Sequence, residues 1–123
     1  MGQSGNILLV EDEEIVALMA ETALKKEGYR VFAFTNARDA LAISESEEFV
    51  LLIADVNLPG SIDGVALAKM LRRKSPHLPV VLTSGSFDES RSFDEALQAF
   101  LLPKPFRKSR LLEVVRCSLS VPV

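Results

Sequence analysis

Five side chains that could handle a phosphoryl group or a metal ion stand directly after short apolar segments of the sequence. Glu11 and Asp12 follow the first segment, Asp55 the third, Ser84 the fourth, and Lys104 comes just after the fifth. Alone, each has an ordinary explanation as a helix cap, a turn former, a loop start or a surface cation. Together they offer carboxylates for a divalent cation, a nucleophilic aspartate, and a cation and hydroxyl to stabilise an anion.

Five apolar segments predict the strands that must position these residues. The first, third and fourth segments are apolar at nearly every residue, which is typical of parallel strands buried on both faces. The second alternates less cleanly, so we expect it near an edge of the sheet. The predicted strands are Ile7–Val10, Val31–Phe34, Val50–Ala54, Val80–Thr83 and Phe100–Leu102.

The intervening segments have helical periodicity. The first predicted helix carries an apolar face from Val16 to Leu24 and ends at Gly28, a natural residue to follow a helix. The others are predicted over about Ala37–Glu48, Gly64–Lys74, Glu89–Gln98 and Arg107–Leu119. Strands alternating with helices form right-handed βαβ units. The fold class is therefore α/β, a three-layer α/β/α sandwich around a five-stranded parallel sheet in the flavodoxin-like order 2-1-3-4-5.

In such a sheet, ligands bind beyond the carboxyl ends of the strands, so we expect the five side chains to share one rim. Glu11, Asp12 and Asp55 would then need a compensating positive charge. Mg²⁺ prefers a few carboxylates together with water and a phosphate oxygen. Lys104 and Ser84 would face the anion that the metal holds, which is the arrangement that stabilises a transferring phosphoryl group.

The length and composition of the chain limit its possible partners, location and number of domains. The chain has 123 residues, 14 basic and 17 acidic, and a net charge of −3, which argues against direct nucleic-acid binding. Its one cysteine and lack of any membrane-length apolar segment favour the cytoplasm and no membrane association. We expect one domain over residues 1–123, with a core of about 6–119 and no output domain.

From Asn6 to about Leu119, the sequence resembles the receiver domain of two-component response regulators, and four motifs carry the resemblance. The motifs are ILLVED at 7–12, DVNLPG at 55–60 with Asp63-Gly64 following, PVVLTSG at 79–85 and KPF at 104–106. The resemblance implies that Asp55 accepts a phosphoryl group from a phosphohistidine. It also implies that Glu11, Asp12, Asp55 and the backbone carbonyl of Asn57 bind Mg²⁺.

The resemblance also assigns the groups that contact the phosphate. Lys104 would pair with the phosphoryl oxygens, and the Lys104–Pro105 peptide bond would be cis. Ser84 would reorient to hydrogen-bond the phosphate. We choose Ser84, five residues after Pro79 and before a small residue, with Thr83 as the fallback.

The implied partners are proteins. A sensor histidine kinase or a histidine phosphotransfer protein would donate the phosphoryl group, and an unidentified downstream protein would read the change. The resemblance also allows a homodimer through the fourth helix, fifth strand and last helix. The chain would be a phosphoacceptor regulator rather than an enzyme, although it would support its own phosphorylation and dephosphorylation. Its motifs look more like those of receivers attached to sensory kinases than like the chemotaxis regulator.

Two departures from the family pattern bear on this interpretation. The loop Pro59–Gly64 is one residue longer than the common form, and Leu101 stands where the switch aromatic is usual, with Phe100 one residue earlier. A degenerate receiver that binds partners without phosphorylation therefore stays an alternative. A Mg²⁺-dependent phosphatase is less favoured because Asn57 cannot act as general acid. Flavin binding is disfavoured because Glu11 and Asp12 would repel its phosphate.

Overall fold

A five-stranded parallel sheet is the centre of the computed structural model, which describes residues 5–85 and 97–120. The strand order is β2-β1-β3-β4-β5, which confirms the predicted order. β3 and β4 are buried at every residue, whereas β2 lies at an edge and is partly exposed, as expected. The strands are β1 (Asn6–Val10), β2 (Arg30–Phe34), β3 (Leu51–Asp55), β4 (Val80–Ser84) and β5 (Phe100–Pro103).

Helices cover both faces of the sheet and form the predicted three layers. Buried side chains of two helices pack on one face, and those of the other two pack on the opposite face. The fourth predicted helix lies outside the described residues, except for Leu97 and Gln98. The helices within the described residues are α1 (Glu14–Lys26) and α4 (Lys108–Ser120) on the first face, and α2 (Ala37–Ile43) and α3 (Gly64–Lys74) on the second.

The second helix is shorter than predicted. It ends at Ile43 rather than near Glu48, and the next residues form turns. The Ser44 hydroxyl donates to the Leu41 carbonyl at 2.6 Å, and the Ser46 hydroxyl donates to the Ile43 carbonyl at 3.4 Å. These side chains compete with the helical backbone pattern, so the chain leaves the helix early.

Local capping sets where two of the helices begin or end. The Asp63 carboxylate accepts a hydrogen bond from the Ala66 N–H at 2.8 Å and caps the start of α3. Gly28 has φ of +101° and donates to the Lys25 carbonyl after the end of α1, as the sequence predicted. No helix within the described residues is long and apolar enough to cross a membrane.

One predicted strand boundary is wrong in a way that affects burial. The third strand was expected to begin at Val50, but it begins at Leu51 and extends to Asp55. The Val50 side chain is exposed, whereas Leu51 is fully buried. The strand therefore carries Asp55 as its last residue and fixes the backbone of that residue within the sheet.

Candidate functional site

The carboxyl ends of β1 and β3 bring three acidic side chains together. Glu11 and Asp55 are buried, and Asp12 is exposed. One carboxylate oxygen from each lies within 4.8 Å of the other two. This convergence follows from the parallel pairing of β1 with β3, in which Val10 lies opposite Ala54. Hard oxygen donors at this spacing fit a small divalent cation such as Mg²⁺.

Lys104 enters this group from the end of β5 and contacts three carboxylates. Its Nζ lies 2.7 Å from Asp55 Oδ2, 2.8 Å from Glu11 Oε1 and 2.8 Å from Glu13 Oε1. The backbone supports the position, because the Lys104 N–H donates to the Ser84 carbonyl at 2.8 Å. The Lys104–Pro105 peptide bond is cis, as expected.

The electrostatics of the site follow from burial and from these contacts. Burial raises the pKa of the Glu11 carboxyl above its usual value, and its hydrogen bonds with Lys104 and the Glu13 N–H oppose the shift only in part. Burial disfavours the charge on Lys104, but its hydrogen bonds to Asp55, Glu11 and Glu13 outweigh that effect and raise the pKa of the ammonium. Lys104 therefore remains charged at neutral pH.

The backbone around Asp55 is tightly held. Asp55 Oδ1 accepts a hydrogen bond from the Asn57 N–H at 2.9 Å, and the role of the Asn57 carbonyl as a metal ligand stays a prediction. The Val56 N–H donates to the Thr83 carbonyl at 2.9 Å, and the Gly64 N–H donates to the Val56 carbonyl at 3.0 Å. Gly64 is required here, because a Cβ at that position would overlap the Asp55 carbonyl oxygen. The Gly64 end of the longer loop is thus held against the residue that follows β3.

The two candidate hydroxyl residues end β4 next to the site. Thr83 lies opposite Asp55 in the strand register, and Ser84 lies opposite Pro103. Both residues are buried. Thr83 Oγ1 has no hydrogen-bond partner among the described residues. The assignment of Ser84 rather than Thr83 as the phosphate-sensing hydroxyl stays a prediction.

The residues at the expected switch position on β5 differ in exposure. Leu101, which replaces the usual aromatic residue, has 41% of its surface exposed. Phe100 is half-buried and packs against the core on the α1 and α4 side of the sheet. The structure therefore places Phe100 among core residues and leaves Leu101 facing outward.

Glu13 belongs to the site, although the sequence analysis did not single it out. Its contact with Lys104 joins positions 91 residues apart. The only hint in the sequence is a run of four acidic residues at 11–14. Such a run does not reveal which carboxylate faces the lysine.

Comparisons with known proteins agree with this geometry. The chain matches the response regulator receiver domain over residues 7–116. NtrC of Proteus hauseri, named a DNA-binding transcriptional regulator, is 31% identical over 119 residues, which make up 92% of this chain and 24% of NtrC. FleR of Pseudomonas aeruginosa, named a response regulator protein, is 35% identical over 114 residues, which make up 91% of this chain and 24% of FleR.

A solved structure supports the same assignment. The chemotaxis response regulator CheY4 of Vibrio cholerae matches 95% of this chain and 100% of its own chain, with a TM-score of 0.85 and 27% identity. This chain spans about a quarter of the length of NtrC and FleR, and it has the length of one receiver domain. The matched region contains the acidic group, Lys104 and both candidate hydroxyl residues. The chain therefore belongs to the response regulator receiver domain family of two-component signalling.

Proposed function

We propose that this chain is a phosphoryl-accepting switch in which Asp55 takes a phosphoryl group from a phosphohistidine. The observation that carries the proposal is the 2.7 Å ion pair between Asp55 Oδ2 and Lys104 Nζ beside the carboxylates of Glu11 and Asp12. A buried carboxylate held by a cation, with further oxygen donors beside it, has the parts that phosphoryl transfer requires. The donor is a sensor histidine kinase or a histidine phosphotransfer protein.

The reaction exchanges one bond to phosphorus for another. A carboxylate oxygen of Asp55 attacks the phosphorus, and an O–P bond forms as the N–P bond to the donor histidine breaks. The imidazole leaves with the electron pair of that bond. Lys104 faces the incoming group with a full positive charge and stabilises the charge on the transferring phosphoryl oxygens. The product is an acyl phosphate on Asp55.

Glu11, Asp12, Asp55 and the backbone carbonyl of Asn57 would hold Mg²⁺. The bound ion would neutralise charge on the phosphoryl oxygens and so lower the barrier to transfer. The fit rests on the donor set, since three carboxylate oxygens converge within 4.8 Å. The same groups support hydrolysis of the acyl phosphate, so we propose that the chain assists its own dephosphorylation.

The added phosphate acts as a signal because it introduces a dianion beside β4. In the proposed switch, the Ser84 hydroxyl turns to donate a hydrogen bond to a phosphoryl oxygen. The Ser84 carbonyl already accepts from the Lys104 N–H, so movement at one residue is coupled to the other. A downstream protein reads the resulting change in surface, and the proposed place of action is the cytoplasm, where ATP charges such kinases.

The face of α1 next to the site is the proposed approach for the donor protein. Ile15 is 84% exposed and Leu18 is 66% exposed, so two large apolar side chains stand in solvent on the helix that begins directly after Glu13. An open groove of about 410 Å³ adjoins Lys104. It is lined by Glu13, Val16, Met19, Gly85, Lys104, Pro105 and Phe106. Apolar surface rimmed by charge suits a transient protein contact.

The test is incubation with acetyl phosphate and Mg²⁺, followed by intact-mass measurement. The wild type should gain one phosphoryl group and Asp55→Asn should gain none. Asp39→Asn, a change at an exposed carboxylate on α2, is the matched control and should behave as the wild type. If the wild type binds Mg²⁺ but gains no phosphoryl group from any donor, the chain is instead a receiver that binds partners without phosphorylation.

A further inference from the structure

The ammonium of Lys104 has no donor left over in this structure. A lysine ammonium carries three N–H groups, and Lys104 directs them to Asp55, Glu11 and Glu13 at 2.7–2.8 Å. Asp55 and Glu11 are also members of the group that could hold a metal ion, whereas Glu13 is not. Glu13 thus differs from the other two partners, because it can hold the lysine without being a metal ligand.

Glu13 also departs from the usual behaviour of a residue at its position. It is the residue before the first turn of α1, where Ser, Thr, Asp or Asn ordinarily accepts a hydrogen bond from an N–H of the helix. Here it makes no such bond, and its carboxylate contacts Lys104 instead. α1 therefore lacks the stabilisation that a side-chain cap would give. A departure of this kind from local structural preference is typical of a functional position.

A cation bound by Glu11, Asp12 and Asp55 would compete with the ammonium for two of its three partners. Both are positive and both are drawn to the same oxygens, so metal binding weakens the hold of Asp55 and Glu11 on Lys104. We infer that Glu13 is a positioning residue that retains Lys104 at the site when a divalent cation occupies the other carboxylates. This inference rests on the proposed metal site and names a residue on which that site depends.

The consequence is that Mg²⁺ binds more tightly when Glu13 can accept the displaced ammonium. Without that carboxylate, Lys104 stays against Glu11 and Asp55 and opposes the incoming cation. The Glu13 side chain is 61% exposed, so we expect the effect of one partly screened ion pair, about a two- to fivefold loss of Mg²⁺ affinity. The effect should depend on contact with Lys104 and not merely on the charge of Glu13.

The test is calorimetric titration of the full chain with MgCl₂. Glu13→Gln should lose about two- to fivefold in affinity, whereas Glu14→Gln, which removes the same charge one residue further along, should lose less than twofold. Glu13→Asp keeps the charge, but its shorter side chain can cap α1. We expect it to bind Mg²⁺ as weakly as Glu13→Gln while melting at a higher temperature than the wild type. Wild-type affinity in Glu13→Asp, or equal losses in Glu13→Gln and Glu14→Gln, would overturn the inference.

A double-mutant cycle separates this inference from the proposed function. In a Lys104→Met background, Glu13→Gln should lower Mg²⁺ affinity no more than Glu14→Gln does, because no ammonium remains to be held. An equal specific loss with and without Lys104 contradicts the positioning role. Failure of the wild type to bind Mg²⁺ would contradict the proposed metal site itself. Equal Mg²⁺ affinity in the wild type and in Glu13→Gln would contradict only the positioning role of Glu13.

Discussion

Thr83 and Ser84 end the same strand, and both are buried. Thr83 is 2% exposed and its Oγ1 has no partner within the described residues. An unsatisfied buried hydroxyl costs about 1–3 kcal/mol. We predict that Thr83→Val leaves the free energy of unfolding unchanged or raises it by about 1 kcal/mol, as measured by urea denaturation.

A substitution at Ser84, compared with Thr83→Val, tests which of the two hydroxyls contacts the phosphate. Ser84→Ala should slow phosphorylation by acetyl phosphate or shorten the lifetime of the acyl phosphate, since a donor to the phosphoryl oxygens is lost. Thr83→Val should change neither. If Thr83→Val impairs both and Ser84→Ala neither, then Thr83 is the phosphate-sensing residue.

Glu11 gives the stability of the fold a predictable dependence on pH. Its pKa is raised in the folded state, chiefly by burial, above the ordinary 4.5. The folded state then holds the Glu11 proton more tightly than the unfolded state does. Its contribution to stability therefore falls as pH rises from about 4.5 through the raised pKa.

The raised pKa of Glu11 predicts how the free energy of unfolding of Glu11→Gln compares with that of the wild type at each pH. The wild type should lose stability relative to Glu11→Gln as the pH rises from 4.5 to 7.5, in urea unfolding without added Mg²⁺. A wild type that gains stability over Glu11→Gln across this range would show that attraction by Lys104 outweighs burial. Glu14→Gln, at an exposed carboxylate, is the control for a general change of charge.

At the scale of the element, the start of α3 is packed directly against the end of β3. A Cβ at Gly64 would overlap the Asp55 carbonyl and lie 3.0 Å from Val56 Cα. We predict that Gly64→Ala lowers the free energy of unfolding by about 1–3 kcal/mol, the usual cost of overpacking. It should also reduce phosphorylation, because relieving the overlap moves Asp55.

Gly85→Ala is the matched control for this prediction. Gly85 has open space around a Cβ, with nothing within 4 Å, and it does not have a positive φ. Its substitution should leave the urea midpoint nearly unchanged. Equal effects of the two alanines would show that the contact between α3 and β3 is not the cause.

The sequence predicted some elements well because their burial is uniform. β1, β3 and β4 are enclosed by helices on both faces, so their apolar runs stand out. The end of α2 was missed because no glycine or proline follows Ile43 to mark it, and the turns depend on hydroxyl contacts of Ser44 and Ser46. Periodicity records burial and does not record such hydrogen bonds.

The sequence likewise predicted some parts of the site and missed others. Glu11, Asp12, Asp55 and Lys104 could be brought together from the sequence, because parallel strands end on one rim. The contact between Glu13 and Lys104 could not, because it depends on the direction of one side chain. The paired residues come from opposite ends of the chain, and no regular spacing relates them.

At the scale of the whole molecule, the site connects parts of the sheet that are far apart in the chain. Lys104 pairs with Asp55 across 49 positions and with Glu13 across 91. These residues extend from the ends of β1, β3 and β5, so the acidic cluster forms only when the sheet does. Unfolding disperses the proposed metal ligands, and the unfolded chain should bind Mg²⁺ much more weakly.

Mg²⁺ should therefore stabilise the entire fold rather than the site alone. A ligand that binds only the folded state adds about 2.7 kcal/mol to the free energy of unfolding at a free concentration 100 times Kd. We predict a higher melting temperature with MgCl₂ than with NaCl at equal ionic strength. Asp12→Ala should abolish most of that difference, because it removes an exposed proposed ligand and leaves the buried contacts of Asp55 with Lys104 in place. An equal rise in Asp12→Ala would mean that Mg²⁺ acts elsewhere on the molecule.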